Sequence, residues 1–396
     1  MSAIDHWLLP EGIGEMLPDQ AWRAEALRRR LLDVYRSWGY ELIIPPMIEF
    51  LESLLTGTGN DLDLRTFKLT DQLSGRTMGV RADMTPQAAR IDAHALKREG
   101  PVRLCYLGTV LHTRAEGHGA SRSPLQVGAE LFGHAGRESD LEVIGLMLET
   151  LAVAGVPEVH LDLGHVGIFR GLAAEAGLTP EVEQELFDVL QRKALPELET
   201  LLAGLGLAEE ARQRLAALAG LHGDASVLAQ AEESLAGAGE GVRQALAELR
   251  AIGTAVARRW PKVPLNYDLA ELRGYAYQTG VVFAAFAPGS GQEIARGGRY
   301  DKIGEVFGRA RPATGFSTDL KRLLALGSAF REPPAGAIAA PTAGDEALER
   351  EIHALRAAGE RVIRMLPEQG VDAAALGCDR ELIETGGGWQ VKALGG

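Results

Sequence analysis

The chain has 396 residues, of which 46% are hydrophobic and 24% are charged, a composition typical of a globular protein with two or three domains. It has no apolar run long enough to cross a bilayer and no signal-peptide pattern near its start, so we expect neither a membrane protein nor an exported one. The formal net charge of −13 disfavours a nucleic-acid partner. Two isolated cysteines outside any CxxC motif predict a cytoplasmic protein without disulfides or structural metal.

The first elements are an amphipathic helix and an interrupted apolar strand. Apolar residues from Leu27 to Trp38 recur at helical spacing, and Gly39 suits the position just after a helix end. The following run, YELIIPPMIEF, contains Pro45 and Pro46, which cannot donate to a ladder and so belong at a strand end or edge. Either a partner subunit closes this apolar edge, or the chain's own residues cover a bent strand.

A polar cluster, Arg81-Ala82-Asp83-Met84-Thr85-Pro86, follows a predicted hairpin and leads into a predicted helix. Junctions of this kind often carry ligand-facing carboxylates. The alternative is that Asp83 or Thr85 only caps the helix.

The segment Pro101–Gly133 reads as strand, long loop and strand. Its second strand alternates strictly, with Leu125, Val127, Ala129 and Leu131 on one face and Gln126, Gly128 and Glu130 on the other. A buried face with an amide and a carboxylate is either the polar floor of a ligand site or a satisfied network in the core.

Beyond this segment the chain changes character twice. Residues from about 178 to 259 are rich in Ala, Leu and Glu at helical spacing, which predicts a helical insertion outside the sheet. The pattern typical of strands then returns, with polar and aromatic residues at alternate positions on one face: Arg273, Tyr275, Tyr277 and Thr279. Arg273 either binds a carboxylate or phosphate, or stacks on the tyrosines at a solvated face. A Pro- and Gly-rich linker near residue 333 leads to a small αβ appendage, so we expect domains at 1–330 and 331–396.

These segments, taken in order, resemble the sequence motifs of one family. GYELIIPPMIE, the Pro101–Gly133 stretch and TGFSTDLKRL are similar to motifs 1, 2 and 3 of class II aminoacyl-tRNA synthetases. ELRGYAYQTG and ARGGRYD are similar to two signatures of histidyl-tRNA synthetases. The resemblance covers most of residues 1–326. It implies an α+β fold with a mainly antiparallel sheet flanked by helices, and a dimer formed through the motif 1 region.

The resemblance also implies an altered ATP site. In an active synthetase, motif 2 supplies an arginine and, two residues later, a glutamate, whereas this chain has His112 and Arg114 at those positions. Asp319 stands at the small glycine of motif 3, and Arg322 matches the motif 3 arginine. The loss of one donor to developing charge costs roughly 3–4 kcal/mol of barrier, so these changes imply a site without catalysis.

The positions that correspond to the amino-acid half of the synthetase site keep more of the family's residue types than the positions of the ATP half do. By resemblance, the ammonium group of histidine would lie among Asp83, Thr85, Gln126 and Glu130. Arg273 would take the carboxylate or the neighbouring space. Tyr277 and Gln278 would face the imidazole, with Gln278 in place of a tyrosine.

Together with the short C-terminal appendage, these departures resemble the regulatory-subunit family of ATP phosphoribosyltransferase. That resemblance implies a non-catalytic subunit in the first step of histidine biosynthesis, without cofactor or metal. It also implies a hetero-oligomer with a short catalytic subunit and histidine as effector. Two alternatives are an active histidyl-tRNA synthetase and an amino-acid-binding synthetase paralogue that acts on RNA or another enzyme.

Overall fold

The structure, a computed structural model, describes residues 7–55, 60–115, 121–270, 277–330, 336–342, 344–368 and 370–395. The chain divides into two compact units, Met1–Phe330 and Arg331–Gly396. Within the described residues, no helix is long and apolar enough to cross a membrane.

The helices of the first unit include long amphipathic ones that bury one face. Their bounds are α1 Pro18–Ser37, α2 Leu51–Leu55, α3 Asn60–Arg65, α4 Thr85–Arg90, α5 Arg137–Val153, α6 Val166–Glu175, α7 Pro180–Gln191, α8 Leu195–Gly204, α9 Glu209–Ala217, α10 Ser226–Ser234, α11 Glu240–Arg259 and α12 Leu320–Leu326. Gly39 follows α1 with a φ of 84°, in the left-handed region that favours glycine. The position expected for it is therefore confirmed.

The strands of the first unit are β1 Glu41–Leu42, β2 Ile48–Phe50, β3 Phe67–Thr70, β4 Thr77–Val80, β5 Val102–Thr109, β6 Leu125–Phe132, β7 His160–His165, β8 His222–Gly223, β9 Leu265–Asp268, β10 Val281–Phe286, β11 Ala295–Arg299 and β12 Ala313–Asp319. Among the described residues, nine of them form one sheet in the order β1-β5-β6-β12-β11-β10-β7-β9-β8. The β1–β5 and β7–β9 pairs are parallel, and the other pairs are antiparallel. The expected α+β fold with a mainly antiparallel sheet is confirmed.

The central sheet buries its two faces in different hydrophobic clusters. Val127, Ala129 and Leu131 of β6 pack in the large cluster that includes residues of α1 and α5. Leu104 and Tyr106 of β5 lie in a smaller cluster on the other face, with residues of α4. The predicted alternation along β6 is confirmed, and it turns Gln126 and Glu130 away from the larger cluster.

The helical segment departs from the expectation in one respect. Helices α7 to α11 occupy most of residues 178–259, as the composition predicts. However, β8 lies within this segment and pairs with β9, so the segment contributes an edge strand to the sheet and is not wholly outside it. A strand of two residues is too short to show the alternation that identifies strands in a sequence.

The second unit contains β13 Ala337–Ala340, α13 Glu346–Ala357, β14 Val362–Arg364, β15 Cys378–Thr385 and β16 Gly388–Ala393. Its strands form a sheet in the order β14-β13-β15-β16. Asp345 caps α13 by accepting a hydrogen bond from the backbone N–H of Leu348, at 2.9 Å. The expected small αβ appendage is present.

Candidate amino-acid site

The junction between β4 and α4 meets β6 through Asp83. Its Oδ1 accepts hydrogen bonds from the backbone N–H of Thr85, at 2.9 Å, and from Nε2 of Gln126, at 2.8 Å. Oε1 of Gln126 in turn accepts from the backbone N–H of Met84, at 3.0 Å. Asp83 therefore bonds to the first residue of α4 and also joins the polar face of β6, and its role toward a ligand stays a prediction.

Glu130 is the most deeply buried carboxylate of this polar face, with 1% of its surface exposed. The Tyr106 hydroxyl donates to its Oε1 at 2.7 Å, and the Tyr300 hydroxyl donates to its Oε2. Burial raises the pKa of Glu130 to about 8, although both tyrosine hydrogen bonds oppose the shift. The side chain is therefore mostly protonated at neutral pH, and a cation placed beside it would favour its ionised form.

Glycines on the neighbouring strands make room for this network. Gly128 pairs with Tyr106, and a Cβ at Gly128 would lie 2.6 Å from the Tyr106 hydroxyl. Gly315 of β12 pairs with Glu130, and a Cβ there would overlap the carboxylate. Side chains at these two positions would fill the space that the carboxylate and its tyrosine partner occupy.

Tyr106 and Tyr300 connect the predicted residues to one another. The Tyr106 hydroxyl also lies 3.1 Å from Oγ1 of Thr85, so Thr85 and Glu130 share one hydrogen-bonded partner. The Tyr300 ring contacts the Tyr277 ring edge-on, with centroids 6.3 Å apart. Neither tyrosine is among the candidate residues from the sequence, although Tyr300 stands in the quoted ARGGRYD signature.

Gln278 contributes a buried amide next to β11. A Cβ at Gly298 would lie 2.7 Å from Nε2 of Gln278, so this glycine allows the side chain to approach the strand. In the described part of the chain, Oε1 of Gln278 is buried without a hydrogen-bond partner. Arg273 lies outside the described residues.

Of the positions that correspond to the synthetase ATP site, three make contacts within the protein. Nε2 of His112 lies 2.9 Å from the carbonyl oxygen of Ala82, and burial lowers the pKa of this histidine. Oδ1 of Asp319 accepts from the backbone N–H groups of Leu125 and Lys321, each at 3.0 Å, and burial raises its pKa. Nη2 of Arg322 donates to Oγ of Ser290 at 2.6 Å.

Arg114, the fourth of the positions that correspond to the synthetase ATP site, is exposed.

Of the residues predicted to bind the amino acid, the structure joins Asp83, Thr85, Gln126 and Glu130 in one network and places Tyr277 beside it through Tyr300. No group of three or more metal-ligating side chains occurs among the described residues.

Comparison with known proteins gives two family matches that together span most of the chain. The model described as histidyl-tRNA synthetase matches residues 12–323, and the model described as ATP phosphoribosyltransferase subunit HisZ C-terminal domain matches residues 335–392. The ATP phosphoribosyltransferase regulatory subunit of Thioalkalivibrio sulfidiphilus is 63% identical over 96% of this chain and 97% of its own length. This chain belongs to the family of ATP phosphoribosyltransferase regulatory subunits. It is a non-catalytic subunit, as expected from the sequence.

Two further similarities agree with this assignment. The regulatory subunit of Pseudomonas syringae pv. tomato is 58% identical over the whole of both chains. A crystal structure from Bacillus halodurans, described as an ATP phosphoribosyltransferase regulatory subunit/histidyl-tRNA synthetase, matches with a TM-score of 0.83 and 27% identity. That match covers 95% of this chain and 97% of the other. The regulatory subunit therefore has the class II synthetase-like fold that its motifs imply.

The pKa of Glu130 predicts a pH-dependent contribution to stability. The pKa is about 8 in the folded chain and 4.5 for an unperturbed glutamate, so between these pH values the folded state binds the extra proton. The contribution is fully present below pH 4.5 and is lost as the pH rises through about 8. Glu130→Gln removes this titration. The free energy of unfolding of the variant, relative to that of the parent, should therefore rise as the pH increases from 6 to 9. Denaturant unfolding at a series of pH values measures the difference.

Glu209→Gln is the matched control. Glu209 is exposed and paired with Arg212, which lowers its pKa, so it stays ionised throughout this range. The difference in free energy of unfolding between Glu209→Gln and the parent should therefore not change with pH. A pH-independent difference for Glu130→Gln would show that Glu130 does not titrate as its burial requires.

Proposed function

We propose that this regulatory subunit associates with a separate, short-form catalytic subunit of ATP phosphoribosyltransferase and makes its activity sensitive to histidine. The names of the relatives and the match of the C-terminal unit support a catalytic partner. The buried network around Glu130 supports a ligand that carries a positive charge. Two buried free cysteines are in keeping with a cytoplasmic location.

We propose that histidine occupies the Glu130 network. Its ammonium group would lie among Asp83, Thr85, Gln126 and Glu130, where it replaces the proton of a carboxylate that burial keeps neutral. The unpartnered Oε1 of Gln278 would accept a hydrogen bond from the imidazole, which would satisfy a buried acceptor that otherwise costs free energy. Tyr277 would lie along the ring, and Arg273 would pair with the carboxylate of the ligand.

We further propose that the synthetase ATP site has been lost. A histidine that burial keeps neutral cannot supply the permanent charge of an arginine to phosphate. The Asp319 carboxylate is engaged by two backbone N–H groups and would repel phosphate at the start of α12. Arg322 alone retains the chemistry of its counterpart, and it contacts Ser290 and the carbonyl of Gln292.

Self-association through the motif 1 region is also part of the proposal. Strand β1 lies at the edge of the main sheet and pairs on one side with β5. Leu42, Ile44, Met47 and Ile48 are exposed around it, and Ile44 exposes 83% of its surface. An apolar edge strand of this kind favours contact with a second copy.

We expect Ile44→Asp to weaken the dimer at least tenfold, because the interface would bury a carboxylate in place of an apolar side chain. Sedimentation velocity over a range of concentrations measures the shift toward monomer. Leu195→Asp on α8 is the control, since Leu195 is also exposed but lies far along the chain from motif 1. An unchanged dimer in Ile44→Asp would place the interface elsewhere.

The activity of the complex tests the central proposal. The purified chain mixed with a short-form catalytic subunit should raise the rate of phosphoribosyl-ATP formation, and histidine should lower it. With Glu130→Gln, complex formation should persist, but inhibition should require at least tenfold more histidine because the carboxylate for the ammonium is gone. Glu209→Gln should behave like the parent.

Three other outcomes would each contradict a different part of the proposal. No complex on sizing and no change in rate would contradict the proposed function. Unchanged inhibition with Glu130→Gln would place the effector site elsewhere, at the subunit interface or on the catalytic chain. Histidine-dependent ATP–pyrophosphate exchange by the chain alone would instead show an active synthetase.

A further inference from the structure

Glu130 and Gln278 are brought together by one row of residues across the central sheet. Glu130 of β6 pairs with Gly315 of β12, and Gly315 pairs with Gly298 of β11. Directly paired residues of antiparallel strands point to the same face, with Cβ positions roughly 5 Å apart. The Glu130 carboxylate occupies the side-chain space of Gly315, and a Cβ at Gly298 would lie 2.7 Å from Nε2 of Gln278. The carboxylate and the amide therefore lie side by side on one face of the sheet, over neighbouring strands.

Gln278 lies outside the strands, so contacts beyond the sheet ladder fix its position. Its backbone carbonyl accepts a hydrogen bond from Nη1 of Arg170 on α6, at 2.5 Å. The next residue, Thr279, donates its backbone N–H to the carbonyl oxygen of Arg299 at 2.7 Å. The segment that carries the amide is therefore tied both to α6 and to the end of β11.

Asp301 links this segment to the end of β11 and the start of β12. Its Oδ2 accepts from the Thr279 hydroxyl at 3.1 Å, and its backbone N–H donates to the same hydroxyl oxygen at 3.0 Å. Its Oδ1 accepts from Nη1 of Arg299 at 3.1 Å and from the backbone N–H of Ala313 at 3.0 Å. The Thr279 hydroxyl thus makes a reciprocal pair with a residue whose carboxylate is held from its other side.

The same short stretch of chain also fixes the carboxylate of the row. Tyr300, directly before Asp301, donates its hydroxyl to Oε2 of Glu130. Arg299, directly before Tyr300, donates to Oδ2 of the buried Asp140 from Nε at 3.2 Å and from Nη2 at 2.9 Å. One anchored tripeptide therefore holds both the carboxylate and the segment that carries the amide.

We infer that Thr279 and Asp301 are positioning residues, which hold the Gln278 amide beside the Glu130 carboxylate and so make the site selective for an amino acid with a side-chain N–H donor. The inference rests on the proposed function, in which histidine occupies the Glu130 network, and adds the residues that set selectivity for the side chain of the ligand. In the part of the chain that the structure describes, Oε1 of Gln278 is a buried acceptor without a partner, and an acceptor left unsatisfied costs free energy. A ligand with an N–H donor would satisfy it, whereas a ligand without one would leave that cost in place.

The test compares the affinities of the chain for histidine and for thienylalanine, an amino acid whose five-membered ring has no N–H donor, by calorimetry. The parent should bind histidine about tenfold more tightly, because only histidine satisfies the Gln278 amide. Thr279→Val removes the hydroxyl that pairs with Asp301, so most of this preference should be lost through weaker histidine binding, while the affinity for thienylalanine stays unchanged.

Two further variants control for the substitution itself. Thr279→Ser keeps the hydroxyl and should restore the preference for histidine. Thr200→Val on α8 removes an exposed threonine hydroxyl that donates to the carbonyl oxygen of Pro196, and should keep the preference of the parent. If Thr279→Val does not fold, Thr279→Ala removes the same hydroxyl without placing a methyl group against Asp301, and should lose the preference in the same way.

A double-mutant cycle separates a positioning role from a general structural one. Gln278→Met removes the acceptor at similar size and should lower the preference for histidine as Thr279→Val does. In the Gln278→Met background, Thr279→Val should have no further effect on the preference, since Thr279 acts through an amide that is absent.

Several results would overturn the inference while leaving the proposed histidine site intact. These are an equal loss of affinity for both ligands in folded Thr279→Val, an unchanged preference in that variant, and a further loss of preference when it is combined with Gln278→Met. A parent that binds histidine and thienylalanine equally well would also overturn it. Failure of the parent to bind histidine would instead contradict the proposed histidine site, on which the inference rests.

Discussion

The site depends on one constraint, which is the burial of the Glu130 carboxylate between Tyr106 and Tyr300. Two hydroxyl donors satisfy its oxygens, but they do not offset the cost of charge in this environment, so the pKa of Glu130 stays near 8. Gly128 and Gly315 are required because the carboxylate and its partner occupy the space of their side chains. A bound ammonium group, as proposed, would resolve this constraint, since it would supply a countercharge beside the carboxylate.

The residues that correspond by resemblance to the amino-acid half and to the nucleotide half of a synthetase site make different contacts in this chain. On the amino-acid side, Gln126 is hydrogen-bonded to Asp83, and among the described residues the buried Oε1 of Gln278 has no hydrogen-bond partner. On the nucleotide side, His112 and Asp319 are bound to backbone groups of their own chain. We interpret the first half as a sensor for an amino acid and the second as part of the scaffold that holds it.

Much of the fold and half of the site follow from local patterns in the sequence. The strict alternation along β6 predicts that Gln126 and Glu130 share a face, because side-chain direction in a strand has a period of two. Tyr106 and Tyr300 reach Glu130 across separations of 24 and 170 residues, so only the register of paired strands reveals them. Strand β8 has too few residues to show any period.

The most direct test of this account is a calorimetric titration of the regulatory subunit with histidine near pH 7, in two buffers that differ in ionisation enthalpy. If the ammonium group ionises Glu130, the chain should bind one histidine and release about one proton, so the observed heat should differ between the buffers. Glu130→Gln should lose most of this proton release. Binding with the same heat in both buffers, or no binding at all, would contradict the claim that Glu130 is the sensor's carboxylate.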